Sequence, residues 1–203
     1  MGTKLLKVAW WSILLGVGME LALLVVAAGF GTLQGLKPIA ADLAQKVSWS
    51  FIVCMGLAVG TAAKQLRLPA MGLAGLLAAP LGFHLARVLH KSAVQALAIA
   101  GPAAGGPAPM VLALIKAGEY GVLGIIIAWA GKRGWGVVAY VLIGLATGLA
   151  TTAVVLSLVL QGGATLPAAA IISRAVNEII FPIGCSLVLY ASESVGRAQR
   201  SAG

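Results

Sequence analysis

Charge is scarce in this chain, and acidic charge is scarcest. Of 203 residues, 9% are Asp, Glu, Lys or Arg, and only five are acidic. A soluble domain carries about a quarter charged residues, so an ordinary water-facing surface is excluded. Cysteine is nearly absent. Cys54 and Cys185 each lie inside an apolar segment, without a C-x-x-C or a Cys/His cluster at metal-ligand spacing. They read as small buried hydrophobes; their spacing neither requires nor excludes a disulfide. His84 and His90 are too few for a bis-histidine haem array and lack the neighbouring carboxylates of a metal site.

Catalytic signatures are missing too. The chain has no G-x-S-x-G, H-E-x-x-H, P-loop or paired-carboxylate metal motif. "GPAAGGPAP" (101–109) is glycine-rich but no Lys-Ser/Thr follows it, so it reads as a connection, not a phosphate cradle. The expectation is a protein that is not an enzyme and holds no cofactor or metal. A net charge of +9 does not signal nucleic acid. The basic residues gather at the ends of apolar segments and form no stripe with interleaved aromatics. The expected partner is the lipid bilayer.

What the chain does contain is apolar sequence: 61% hydrophobic residues and a mean hydropathy of +1.04. Its 27 glycines lie largely within the apolar runs, as in membrane helices whose backbones approach closely. Crossing the hydrocarbon takes about 20 apolar residues. Six stretches qualify: 8–30, 47–63, 68–89 (with Pro80 expected to kink it), 110–131, 135–160 and 170–191. The expected fold is an all-α polytopic membrane protein, a single integral-membrane domain over 1–203.

Lys and Arg concentrate in short cytoplasmic segments. Lys4, Lys7, Lys64, Arg67, Lys132, Arg133, Arg197 and Arg200 occupy two tails and two short connections on one side, which predicts both termini inside and places the protein in the cell (inner) membrane. The first apolar run exceeds a signal-peptide h-region and contains Glu20, which favours a retained span. "VVAAGFG" nonetheless offers small residues suited to cleavage.

The six spans group into three tandem hairpins. Each hairpin begins after a basic residue (Lys7, Arg67, Arg133) and carries early glycines in its first span: Gly16 and Gly18, Gly72 and Gly75, Gly144 and Gly148. Each second span opens on a basic residue, Lys46, Lys116 or Arg174. In "KAGEYG" (116–121) and "RAVNEII" (174–180) a glutamate follows, Glu119 or Glu178; in the first hairpin Ser48 and Ser50 take that place. "WSFIVCMG" and "IIFPIGCS" echo each other as well. Chance similarity among Ala/Gly-rich segments is the competing explanation.

Five residues are candidates for a transport path. Glu20 lies near the middle of the first span, where a charge costs about 2.5–3.5 kcal/mol or more, so it must face the bundle. It reads as a proton- or cation-binding carboxylate, or as a helix-tying group. His84 is the partner suggested by depth, or else an interfacial histidine. Glu119, Asn177 and Glu178 would form a polar outer mouth; alternatively each Glu offsets a helix dipole while Lys116 and Arg174 snorkel to the headgroups. Trp10, Trp11, Trp129 and Trp135 read as inner-interface anchors and Trp49 as an outer one. Gly56/Gly60 and Gly144/Gly148 read as packing faces, able to serve a homo-oligomer or other membrane subunits.

Two functions fit: a small transporter or channel-like protein for an ion or small solute, proton-coupled through an intramembrane Glu, or a non-catalytic subunit of a larger membrane complex. The expected orientation is testable by thiol labelling. A cysteine replacing Lys132 should react with a membrane-impermeant maleimide only after the membrane is opened, and one replacing Gln34 in intact cells. The reverse pattern would invert the topology.

Overall fold

The structure, a computed structural model, describes residues 2–63, 65–99, 108–161 and 166–201; Lys64 and most of the 101–109 stretch lie outside them. The described residues form six helices: α1 (Gly2–Gly29), α2 (Leu36–Gly60), α3 (Arg67–Ala96), α4 (Pro109–Arg133), α5 (Val137–Gln161) and α6 (Ala168–Ser201). Each is long and apolar enough to cross a membrane, so the chain is an integral multi-pass membrane protein. Helices suit this setting because every backbone polar group is satisfied within the segment.

Two boundaries differ from those expected. α2 begins at Leu36, about three turns before the span expected at 47–63. Pro38 is tolerated there because N–H groups of a first helical turn have no intrahelical acceptor, so the donor that proline lacks is not missed. α3 continues through Pro80 to Ala96, past the expected end at 89. The two extensions hold each other: His90 Nε2 lies 3.0 Å from Asp42 Oδ1, and Lys37 Nζ donates to the Leu97 carbonyl at 3.3 Å.

The helices follow one another around a ring, and α6 closes it against α1. α6 also meets α2 and α4 across the middle, and Trp49 of α2 touches Tyr120 of α4 there. Between 39 and 50% of their most apolar stretches is buried, against 22 to 33% for α1, α3 and α5. The second helix of each hairpin therefore lines the axis, and the first faces outward. Six helices in alternating directions put the start of α1 and the end of α6 on the same side of the bundle.

Glycine is what lets the helices come this close. A Cβ on Gly75 would run into the carbonyl of Tyr120 on α4, and one on Gly124 into that of Met71 on α3. Gly16 meets the backbone of Val47, and Gly144 and Gly148 meet that of Ile183 and Ile179. The expected Gly56/Gly60 face is used too, against Ala78 and Met71 of α3. In all three hairpins, an early glycine of the outer helix thus receives its own inner partner. Along the axis, Val53, Leu57, Leu123, Ile127, Val188 and Leu189 form a buried apolar column.

Cys54 and Cys185 meet within that column, their sulfurs 3.2 Å apart and both thiols free. At the terminal end Trp10, Trp11, Trp129 and Trp135 are exposed, as a lipid-interface belt requires. Trp49 is not an interfacial anchor: it is only 8% exposed and sits in the core. The longer α2 places it 13 residues from the helix start, about 20 Å in at 1.5 Å per residue.

Gly75→Ala should lower stability by about 1–3 kcal/mol through overpacking, read from thermal or denaturant unfolding in detergent. Gly18→Ala, with nothing within 4 Å of the added Cβ, should leave it unchanged. Equal effects would contradict this packing.

Candidate functional site

All five acidic residues have a basic partner: Glu20 is ion-paired with Lys46 at 2.5 Å, Glu119 and Glu178 with Lys116, and Glu193 with Arg67, while Asp42 lies at hydrogen-bond distance from His90. The pattern follows from the medium. A lone carboxylate inside a bilayer is costly and is normally found paired or facing water.

Three of these carboxylates form one polar region away from the terminal end. Lys46 of α2 reaches Glu20 of α1. Lys116 of α4 donates to Glu119 of its own helix at 2.7 Å and to Glu178 of α6. Lys116, Glu119 and Glu178 are each under 10% exposed. The expected snorkelling of Lys116 is therefore corrected: its ammonium turns inward to two carboxylates. Arg174 does not snorkel freely either, since its Nη1 is buried and has no hydrogen-bond partner. It makes no ion pair with Glu178 four residues on. The matching sequences "KAGEYG" and "RAVNEII" thus supply one shared cluster, not two parallel pairs.

Two cavities lead to this region. One of about 330 Å³ lies among α1, α2, the loop between them and the start of α6, lined by Glu20, Thr32, Gln34, Asp42, Lys46 and Ser173 among others. The second, of about 190 Å³, is lined by Gln45, Lys46, Trp49, Phe83, Lys116, Asn177, Glu178 and Phe181. They share Leu23 and Lys46, so they adjoin across these side chains as an outer and an inner chamber of one vestibule region. Its floor is aromatic. Trp49 packs edge-on against Tyr120 and Phe181, with ring centroids 5.6 and 6.4 Å away, and against Phe83 at 6.5 Å. These rings come from all three axial helices, at residues 11 to 13 from the helix starts.

Beyond the floor, the apolar column fills the axis up to a second charged closure. Arg67 of α3 pairs with Glu193 of α6, and Tyr140 of α5 donates to Glu193 at 3.3 Å. Gly131 of α4 makes room, since a Cβ there would meet all three side chains at 2.9–3.2 Å.

Among the candidates from sequence, Asn177 and Glu178 line the inner cavity, Glu119 joins through Lys116, and Glu20 lines the outer cavity. His84 is separated from them: it is exposed on the outer surface of α3, and Glu20 takes Lys46 as partner instead. Lys46 and Glu193 were not among the candidates. The available signal was scarcity, because with five acids in the chain each requires a base. Comparison with protein-family models, curated proteins and solved structures returns no match, so the functional reading rests on this geometry.

Removing one member of a buried pair leaves the other uncompensated, at a cost of about 3–5 kcal/mol. Lys46→Met should therefore destabilise the protein in detergent, and adding Glu20→Gln should restore much of the loss. A double variant no more stable than Lys46→Met would show that the pair is not coupled.

Proposed function

We propose that this protein is a small transporter in the cell (inner) membrane, carrying an ion or small solute from the vestibule through the axis of α2, α4 and α6. The observation that carries the reading is the asymmetry of that axis. Cavities lined by charged residues lie on one side of the Trp49–Tyr120–Phe181 ring cluster, and buried apolar residues and the Arg67–Glu193 pair lie on the other. A structural subunit has no need of a polar cavity leading to buried ions at mid-membrane, where ionisable groups are expensive and mark ion or substrate pathways. Closure by side chains at two levels suits a carrier that exposes its site to each side in turn better than it suits an open channel. Glu20, Asn177 and Glu178 supply polar contacts in the vestibule, and Trp49, Phe83 and Phe181 supply apolar ones.

One observation favours the rival reading, a non-catalytic subunit of a larger complex or a homo-oligomer. An apolar groove of about 570 Å³ runs between α1 and α6, lined by Trp11, Leu14, Ile180, Ile183 and Leu187 among others. It suits a neighbouring helix as well as a lipid chain. Native mass spectrometry after gentle extraction separates the two: the subunit reading requires unrelated chains at fixed stoichiometry, the carrier reading only this chain.

The transport reading is tested in proteoliposomes with a trapped pH-sensitive dye and imposed gradients of amino acids, sugars or inorganic ions. One solute class should drive proton movement, and Trp49→Ala, which opens the floor, should raise the basal leak. If no solute class drives flux and Trp49→Ala leaves permeability unchanged, the reading fails.

A further inference from the structure

The cluster around Lys116 does not balance. Glu20 has Lys46 to itself, and Glu193 has Arg67, but Glu119 and Glu178 share the single ammonium of Lys116. Fully ionised, the group carries a net negative charge with all three side chains buried. Two carboxylates sharing one cation in a low-dielectric site oppose each other's ionisation, which favours a proton on one of them. Burial points to Glu119. Its Oε2 accepts from Lys116 and its Oε1 is buried, with the Thr151 hydroxyl of α5 as the polar group beside this carboxyl. The Glu119 side chain is 0% exposed, whereas Glu178 also lines the vestibule.

The groups facing the cluster do not supply the missing cation. From α5 comes Thr151, and from α4 itself Tyr120, whose hydroxyl is buried without a partner. From α6 come Glu178 and the thiol of Cys185; from α2, Cys54 and Lys46, the latter committed to Glu20. Arg174, one turn before Glu178, makes no ion pair with it.

We propose that Lys116, Glu119 and Glu178 form a binding site for one exchangeable proton, held on Glu119 and reached from the vestibule through Glu178. This deepens the transport reading and rests on it for purpose: the site is where a proton gradient couples to solute movement, and Glu20, already neutralised by Lys46, lines the way in.

The proton itself is measurable without any solute. Infrared difference spectra of the reconstituted protein across a pH step should show a carboxylic acid C=O band in the wild type. Glu119→Gln should abolish it. Glu178→Gln should abolish it as well, because it leaves one carboxylate to one ammonium, and this variant keeps the test open if Glu119→Gln does not fold. Lys116→Met should enlarge the band, since neither carboxylate then has a cation. Glu20→Gln should leave it intact. A band that survives both Glu119→Gln and Glu178→Gln, or that vanishes in Glu20→Gln, overturns the assignment. If the spectra behave as expected but no solute drives proton flux in the vesicles, the proton site stands and the carrier reading falls. If solute-driven flux persists in Glu119→Gln and Glu178→Gln, the carrier reading stands and the site is not its coupling point.

Discussion

The ammonium of Lys116 is the point on which the arrangement of the axial helices depends. α4 packs tightly on α3 but less extensively on α5, and it touches α6 at few places. The bridge from Lys116 to Glu178 spans that weaker side and brings the second and third hairpins together. In hydrocarbon such a bridge is hard to replace, because neither ion has water as an alternative partner. The same constraint governs the rest of the chain. Each acidic residue recruits a base, and those pairs join α1 to α2, α2 to α3, α4 to α6 and α3 to α6.

Between the charged layers the bundle is held by close contact. Hydrophobic burial gives helices in lipid little reason to associate, so van der Waals packing must do it. The glycines of α1, α3 and α5 let the axial helices approach to backbone distance, and their contacts recur in each hairpin. Close glycine contacts also join neighbouring hairpins, Gly56 and Gly60 of α2 against Ala78 and Met71 of α3, so they follow from close packing in general. The result is a polar region around Lys46 and Lys116 and an apolar column ending at the Arg67–Glu193 pair, divided by the aromatic layer.

Much of the fold was legible beforehand because the bilayer sets a length that any spanning helix must meet. All six spans were found, along with the glycine faces and the terminal-end tryptophans. The errors lay where a helix leaves the hydrocarbon. "LKPIAADLAQK" is polar enough to resemble a loop, yet it is helical, held by Asp42–His90 and Lys37–Leu97, contacts made with a helix some fifty to sixty residues away. That one boundary carried Trp49 from a presumed interface to the core. The candidate site was legible in part: Glu20 through the expense of a charge at its depth, and Glu119, Asn177 and Glu178 through the matching basic–acidic patterns at two helix starts, but not their partners.

The sequence alone determined that this is a six-helix membrane protein with few acids, three of the five inside its expected spans, because apolar length and the cost of burying charge are local properties. Which base meets which acid was decided only by the tertiary structure. Lys116 and Arg174 head nearly the same local pattern, yet Lys116 turns inward to serve two carboxylates while Arg174 serves none. The difference arises from the faces that α4 and α6 present to each other, and hairpin packing sets that rotation where pairwise spacing cannot.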